Sequence, residues 1–300
     1  MKLLKGCIVV SIMLLLFSCA TTEDSTSVVE KIEAPEESNK TEEKTSEKKM
    51  IEVEIEEIEY FIVKNSAFYG DGQIDTITNY TYDDNYTLLK RIQINEQEEV
   101  LETSINEIVN GRITKQLGYG FANALNMYIE YKYDSEGNII EETLFDKEEK
   151  VQSISQYEFE NNKVVLWKTL SSTGGTLAIT TYEYDSDGNN IKINMKDSGG
   201  SIDGVISKMY TDGVVVKEEV LDSKGTTEKV TEFLYDNGKL KEKIFYDEKG
   251  KKKRSEVYEY TEGQPVPSRI NYLYKSGGLE SYSEIEYLSK TTIRKVMVEE

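Results

Sequence analysis

Few side chains in this sequence combine the type and the spacing that covalent chemistry needs. Histidine does not occur, and the two cysteines, Cys7 and Cys19, both lie within the first nineteen residues. Everything downstream therefore lacks the commonest acid–base group, the thiol nucleophile and the usual zinc and haem ligands. Carboxylates are abundant but sit at solvated strand positions, and no nucleophile-elbow or phosphate-loop pattern occurs. Asp185-Ser186-Asp187-Gly188-Asn189 and Asp71-Gly72 look like openings of calcium loops. A calcium loop needs a glutamate at its twelfth position, where the Asp185 stretch has Lys196, so both read as turns. The chain reads as non-enzymatic, with no cofactor and no metal.

Two clusters remain as candidate binding residues. Lys249, Lys251, Lys252, Lys253 and Arg254 form the only dense basic group in an acidic chain, across a turn where side chains reach solvent. An anionic glycan or a phospholipid headgroup fits such a group. Tyr128, Tyr131, Tyr133, Tyr182, Tyr184, Tyr258, Tyr260, Tyr272 and Tyr274 could stack on a sugar, although a repeat sheet needs such residues for its own packing. Trp167 is the only tryptophan.

Something must carry and position these groups, and the N-terminus states where. Lys2 and Lys5 precede the uncharged run Gly6 to Phe17, which ends at Ser18-Cys19-Ala20. That run fits a secretory h-region and falls short of the ~20 residues of a mature spanning helix. Leu16-Phe17-Ser18-Cys19 resembles the lipobox of bacterial lipoproteins, and the resemblance implies that Cys19 is acylated and becomes the mature N-terminus. Phe17 stands where the box usually has a small residue, a looseness seen in spirochaete lipoproteins. Once Cys7 leaves with the signal no cysteine pair remains, so disulfides are excluded. Each buried acyl methylene contributes about 0.8 kcal/mol, and a cysteine bearing two or three chains holds a protein on a membrane. The expected location is the bacterial cell envelope, with the outer membrane favoured and the side of exposure open.

Residues 1–18 are thus the expected signal peptide, 19–50 an acidic tether and 51–300 the folded domain. The tether is rich in Glu, Lys, Ser and Thr, has no aromatic residue and cannot bury enough area to offset its ordering entropy. The formal charge of −20 argues against general nucleic-acid binding, which requires net phosphate neutralisation.

From Ile51 onward hydrophobic residues alternate with glutamates at the period of a strand. Aromatic–acidic–glycine corners then recur: Tyr131-Lys132-Tyr133-Asp134, Tyr182-Glu183-Tyr184-Asp185, Phe233-Leu234-Tyr235-Asp236, Tyr258-Glu259-Tyr260. The corner positions Tyr82, Ile108, Tyr133, Phe159, Tyr184, Tyr210, Tyr235 and Tyr260 are spaced by 25 or 26 residues throughout. A second series, Gly175, Gly200, Gly225 and Gly250, repeats every 25. Each unit reads as strand, turn, strand, turn. Asp at the first turn position and Gly three later suit a type I turn with a bulge, whereas Asn237-Gly238 suits a two-residue type I′ turn. Both join antiparallel neighbours.

The expected fold is therefore all-β: an extended antiparallel meander of two-strand repeats, about eighteen strands, curled or partly single-layered because open flat sheets rarely exceed ~10 strands. Pro265 and Pro267 mark an irregular connection. Counting straight through the turns puts Phe233, Tyr235, Leu240, Glu242, Ile244, Tyr246, Arg254 and Glu256 on one face. Val230, Glu232, Leu234, Lys241, Lys243, Phe245, Val257 and Glu259 then share the other, and neither face offers the apolar belt of a transmembrane barrel.

These YxYDxxGN corners resemble the YD repeats of the RHS family, whose arrays coil into a β-shell. The stretch FLYDNGKLKEKIFYDEKGK is similar to MORN-variant repeats, and a lipoprotein with a Lys/Glu-rich meander resembles the single-layer-sheet outer-surface lipoproteins of spirochaetes. These resemblances imply a membrane-anchored protein presenting a β-repeat surface to a protein or glycan. The alternative is a periplasmic carrier or assembly factor whose curled sheet cups lipid or an unfolded partner, which requires a continuous apolar concavity.

Overall fold

The computed structural model describes residues 50–299, so the export segment, Cys19 and the tether up to residue 49 lie outside the described residues. The rest is strand and turn. In chain order the strands are β1 (Met50–Tyr69), β2 (Ile74–Tyr82), β3 (Leu88–Asn95), β4 (Val100–Val109), β5 (Arg112–Tyr119), β6 (Leu125–Tyr133), β7 (Ile139–Asp146), β8 (Val151–Glu160) and β9 (Lys163–Ser171). They continue as β10 (Thr176–Tyr184), β11 (Asn190–Asp197), β12 (Ile202–Thr211), β13 (Val214–Asp222), β14 (Thr227–Asp236), β15 (Lys239–Asp247), β16 (Lys252–Tyr260), β17 (Pro267–Tyr274) and β18 (Leu279–Glu299). One 3₁₀ turn, Phe121–Asn123, interrupts the series.

Turn chemistry explains the meander. At most corners the first residue's N–H bonds to the carbonyl four residues on and its carbonyl accepts from the residue three on, as for Asp222 with Thr226 and Gly225. The Asp222 carboxylate also accepts the N–H groups of Lys224 and Thr226, closing the loop from inside. This is the expected type I turn plus bulge, and Gly225 supplies its left-handed residue at φ 80°. In the Ser171 corner the left-handed residue is Gly174 rather than Gly175, because the turn begins at Ser171 and counts three from there. Asn110-Gly111, Asn161-Asn162, Asp212-Gly213 and Asn237-Gly238 have positive φ at both positions and make the two-residue type I′ links.

The described residues fall into two units. In the larger, Ile62–Tyr287, each strand pairs antiparallel with its sequence neighbour, and the last strand returns to the first. The Gly70 N–H donates to the Glu280 carbonyl at 2.9 Å, Phe68 stacks on Tyr282 at 4.6 Å and Lys64 pairs with Glu286 at 2.9 Å. The curled sheet is thus a closed 18-strand barrel. At ~4.8 Å per strand its girth is ~86 Å and its backbone radius at least ~14 Å. A ring that wide cannot be filled by side chains from one layer. Tyr128, 7% exposed, is accordingly the only large apolar side chain buried among the described residues.

Cross-strand register sorts the side chains into two faces, and it corrects the straight count. In the β14–β15 hairpin, Tyr235 faces Leu240 but Leu234 faces Glu242, so one extra residue, Lys241, bulges out of β15. Beyond that bulge the parity of β15 inverts. Lys243 and Phe245 join Phe233 and Tyr235, while Glu242, Ile244 and Tyr246 join Val230, Glu232 and Leu234. The same kind of shift occurs beside nearly every turn, as at Tyr133/Ile139 and Tyr184/Asn190.

The face bearing the corner tyrosines lines the lumen. Burial holds the Glu142 carboxyl on this face above its ordinary range. Its sequence neighbour Glu141, on the other face, is drawn below it by bonds from Lys132 and Gln156. The outward face carries the ion pairs Lys115–Glu130, Lys132–Glu141, Glu183–Lys192 and Arg269–Glu284. These cross-strand pairs interrupt its apolar residues at mid-strand.

The smaller unit, 50–61 with 288–299, is a two-stranded ribbon of β1 and β18. Glu52, Glu57 and Glu59 pair across it with Lys295, Arg294 and Lys290.

Candidate functional site

The lumen wall is built on a repeated contact. Tyr82, Tyr133, Tyr184, Tyr210, Tyr235, Tyr260 and Tyr287 each donate their hydroxyl to the carbonyl twenty residues earlier, on the preceding strand. The acceptors are Ile62, Ile113, Val164, Asn190, Val215, Leu240 and Pro267, at 2.6 to 3.0 Å. A strand end near a turn leaves such carbonyls without a ladder partner, and the phenol satisfies them. Where the corner residue is Ile108 no hydroxyl exists, and Asn106 supplies the donor to Leu88 instead. Burial pushes the Tyr82 and Tyr287 phenols up to about 12 and those of Tyr131, Tyr157 and Tyr258 higher.

Cations clamp three of these rings. Arg112, Lys163 and Lys239, each opening a strand, lie 5.4, 5.3 and 5.1 Å above the centroids of Tyr133, Tyr184 and Tyr260. Lys163 and Lys239 also donate to the turn carbonyls of Gly188 and Gln264. The candidate aromatic ladder thus divides by face: Tyr131, Tyr133, Tyr182, Tyr184, Tyr258, Tyr260 and Tyr272 line the lumen, whereas Tyr128 packs outward against Phe145 and under Lys115. Tyr274 is exposed at the β17 end.

Two lumen sectors combine rings with charge. Across β6–β9, Glu142 faces Tyr131, and the nearby Tyr157 phenol eases its carboxyl's ionisation against burial; the Tyr157 ring lies 6.1 Å from Trp167. The buried Trp167 indole N–H has no acceptor. Across β14–β16, the Lys243 ammonium sits between Phe233 and Tyr258 at 5.6 and 5.4 Å, and the Arg254 guanidinium lies 4.4 Å over Phe245. Glu256 accepts the Tyr258 hydroxyl at 2.8 Å and lies 3.7 Å from Arg254.

The basic cluster read from the sequence is not one patch. Arg254 faces the lumen, while Lys252 reaches Glu242 on the outward face at 3.3 Å and Lys253 reaches the turn carboxylate of Asp247 at 3.4 Å. Lys249 and Lys251 belong to the turn and give their backbone N–H groups to Asp247. Lys243, which sequence counting placed on the other face, is instead Arg254's lumenal companion. Its signal was the bulge at Lys241, which no residue type announces. The Asp185 loop holds its carboxylate with its own Asp187 and Asn189 N–H groups, as a turn does.

No family model and no curated protein matches the sequence. Among solved structures, a porin-like protein from Bacteroides uniformis is similar at 11% identity and a TM-score of 0.39, over 78% of this chain and 98% of that one. A putative exported protein with a YmcC-like fold from Bacteroides fragilis gives 14% and 0.21, over 80% and 95%. The Tc holotoxin pore of Photorhabdus luminescens gives 11% and 0.23, over 70% of this chain and 15% of that one. None of these likenesses fixes a family or a function.

Proposed function

We propose that this is a non-enzymatic, lipid-anchored protein of the bacterial cell envelope whose β-barrel is a binding surface. The observation that carries the binding reading is the lumen wall. Its corner hydroxyls are committed to backbone carbonyls, so the corner rings are held in fixed positions, three of them under the cations Arg112, Lys163 and Lys239. Such a wall is preorganised to hold a ligand. Anchoring rests on Leu16-Phe17-Ser18-Cys19 and on the export signal before it. Labelled palmitate entering the wild-type protein but not Cys19→Ser tests the anchor. Protease treatment of intact cells then assigns the barrel to the exterior or the periplasm.

The carrier reading needs an apolar concavity. The lumen instead presents Arg91 with Glu102 and Lys208 with Glu218 besides Glu142, Lys243 and Arg254, which favours a polar ligand over an acyl chain.

A further inference from the structure

We propose that the lumen sector of β14–β16 binds an acidic oligosaccharide, with Lys229, Lys243 and Arg254 receiving its carboxylate or sulfate groups. This rests on the reading of the barrel as a binding surface and names a ligand class for it.

Charge sets this sector apart. The chain carries −20 overall, yet in this sector the three cations face into the lumen with Glu256 as the only carboxylate set among them at mid-strand. Asp247, opposite Lys229, is already engaged by the Lys249 and Lys251 N–H groups and by Lys253. Elsewhere on the wall, the lumenal cations Arg91 and Lys208 are matched by Glu102 and Glu218. Lys243 has no carboxylate at ion-pair distance among the described residues, and it is held instead between two rings. Rings fix an ammonium without neutralising it, so its charge remains available to a ligand. Arg254 makes one long contact, to Glu256 Oε1 at 3.7 Å, while Glu256 Oε2 accepts the Tyr258 hydroxyl, so most of the Arg254 planar fork stays open for a bidentate anion.

The second element is the aromatic lining. Phe233, Phe245, Tyr258 and Tyr272 lie on the same face across four adjacent strands. Rings beside cations suit a sugar ring that carries an anion, one part stacking and the other paired. A position inside the barrel keeps a bilayer surface from reaching these groups. The acidic chain as a whole disfavours long polyanions such as nucleic acid.

The test is calorimetric titration of the full chain in detergent with a heparin-derived tetrasaccharide, and with maltotetraose as the neutral control. The acidic sugar is expected to bind and the neutral one not. Lys243→Ser with Arg254→Ser should weaken binding about tenfold or more, while Lys249→Ser, Lys251→Ser and Lys253→Ser together should change it less than about twofold. Lys243→Arg, which keeps the charge, should retain binding and guards against a folding artefact. Absence of binding by the wild type, equal binding of maltotetraose, or loss on the outer triple substitution instead of the lumenal double would overturn the proposal. Loss of palmitate labelling in Cys19→Ser leaves this titration unaffected, so the anchor and the ligand site fail separately.

Discussion

The Tyr235 hydroxyl lies 2.9 Å from the Val215 carbonyl, twenty residues earlier in the chain and one strand away. The contact ties the end of β14 to the start of β13 just before the Asn237-Gly238 turn, and its siblings do the same around the barrel. Removing one rung by Tyr235→Phe leaves a carbonyl with fewer partners and should cost about 1 kcal/mol. The chain holds its own control. Phe159 occupies the same corner with no hydroxyl, so Phe159→Tyr should add a rung to Ile139 and raise the urea midpoint. Equal midpoints for the wild type and both variants would show that the hydroxyls contribute nothing.

Several turns force residues with side chains into the left-handed region. Glu98 and Glu149 sit at φ 62° where the sibling turns use glycine. Glu149→Gly should therefore stabilise the barrel by up to about 1 kcal/mol, partly offset by glycine's greater freedom in the unfolded chain. Gly225→Ala, at φ 80°, should destabilise it. Thermal melts of the two variants should move in opposite directions.

The lumenal phenols make the barrel alkali-sensitive. Their folded pKa values are raised, to about 12 for Tyr82 and Tyr287. The folded state then binds more protons than the unfolded one between the ordinary phenol value near ~10 and the raised value. Stability from these groups is complete below pH ~10 and is lost as pH rises toward 12. Tyrosinate absorbance should appear together with loss of β-sheet circular dichroism. A smooth titration near pH 10 with the fold intact would contradict the burial of these rings.

Glu142 behaves as the acid counterpart. Burial raises its carboxyl above the ordinary value, so its contribution is favourable at low pH and is lost as pH rises through the folded value. Glu142→Gln should leave stability near pH 4 almost unchanged and increase it at pH 7. A lower midpoint at pH 7 would mean that the ionised carboxylate is stabilised by a neighbour.

Local grammar made the strands legible. The Asp222–Gly225 and Asn237–Gly238 stretches declare their turn types, and the spacing of Tyr133, Tyr184 and Tyr235 gives the repeat. Closure was hidden because pairing of β1 with β18 joins residues such as Lys64 and Glu286, more than two hundred positions apart, with no turn between them to set the register. The faces of β15 were misread because the bulge at Lys241 inverts everything after it. That single offset concealed that Lys243 and Arg254 share one wall, and dispersed a basic run that looks continuous in sequence. Tyr235 was visible as a packing residue. Its hydroxyl's destination was not, since a twenty-residue reach is set by register and by no local motif.

Closure by the first and last strands also makes the calibre of the barrel a countable quantity. Each repeat contributes two antiparallel strands, so excising one, for instance from one corner tyrosine to the next, preserves the up-and-down alternation at the seam where β18 meets β1. The circumference would shrink by ~10 Å and no strand would be left with a parallel neighbour. Gene duplication or loss of one such unit could therefore widen or narrow the vessel in fixed steps, without redesigning a single turn.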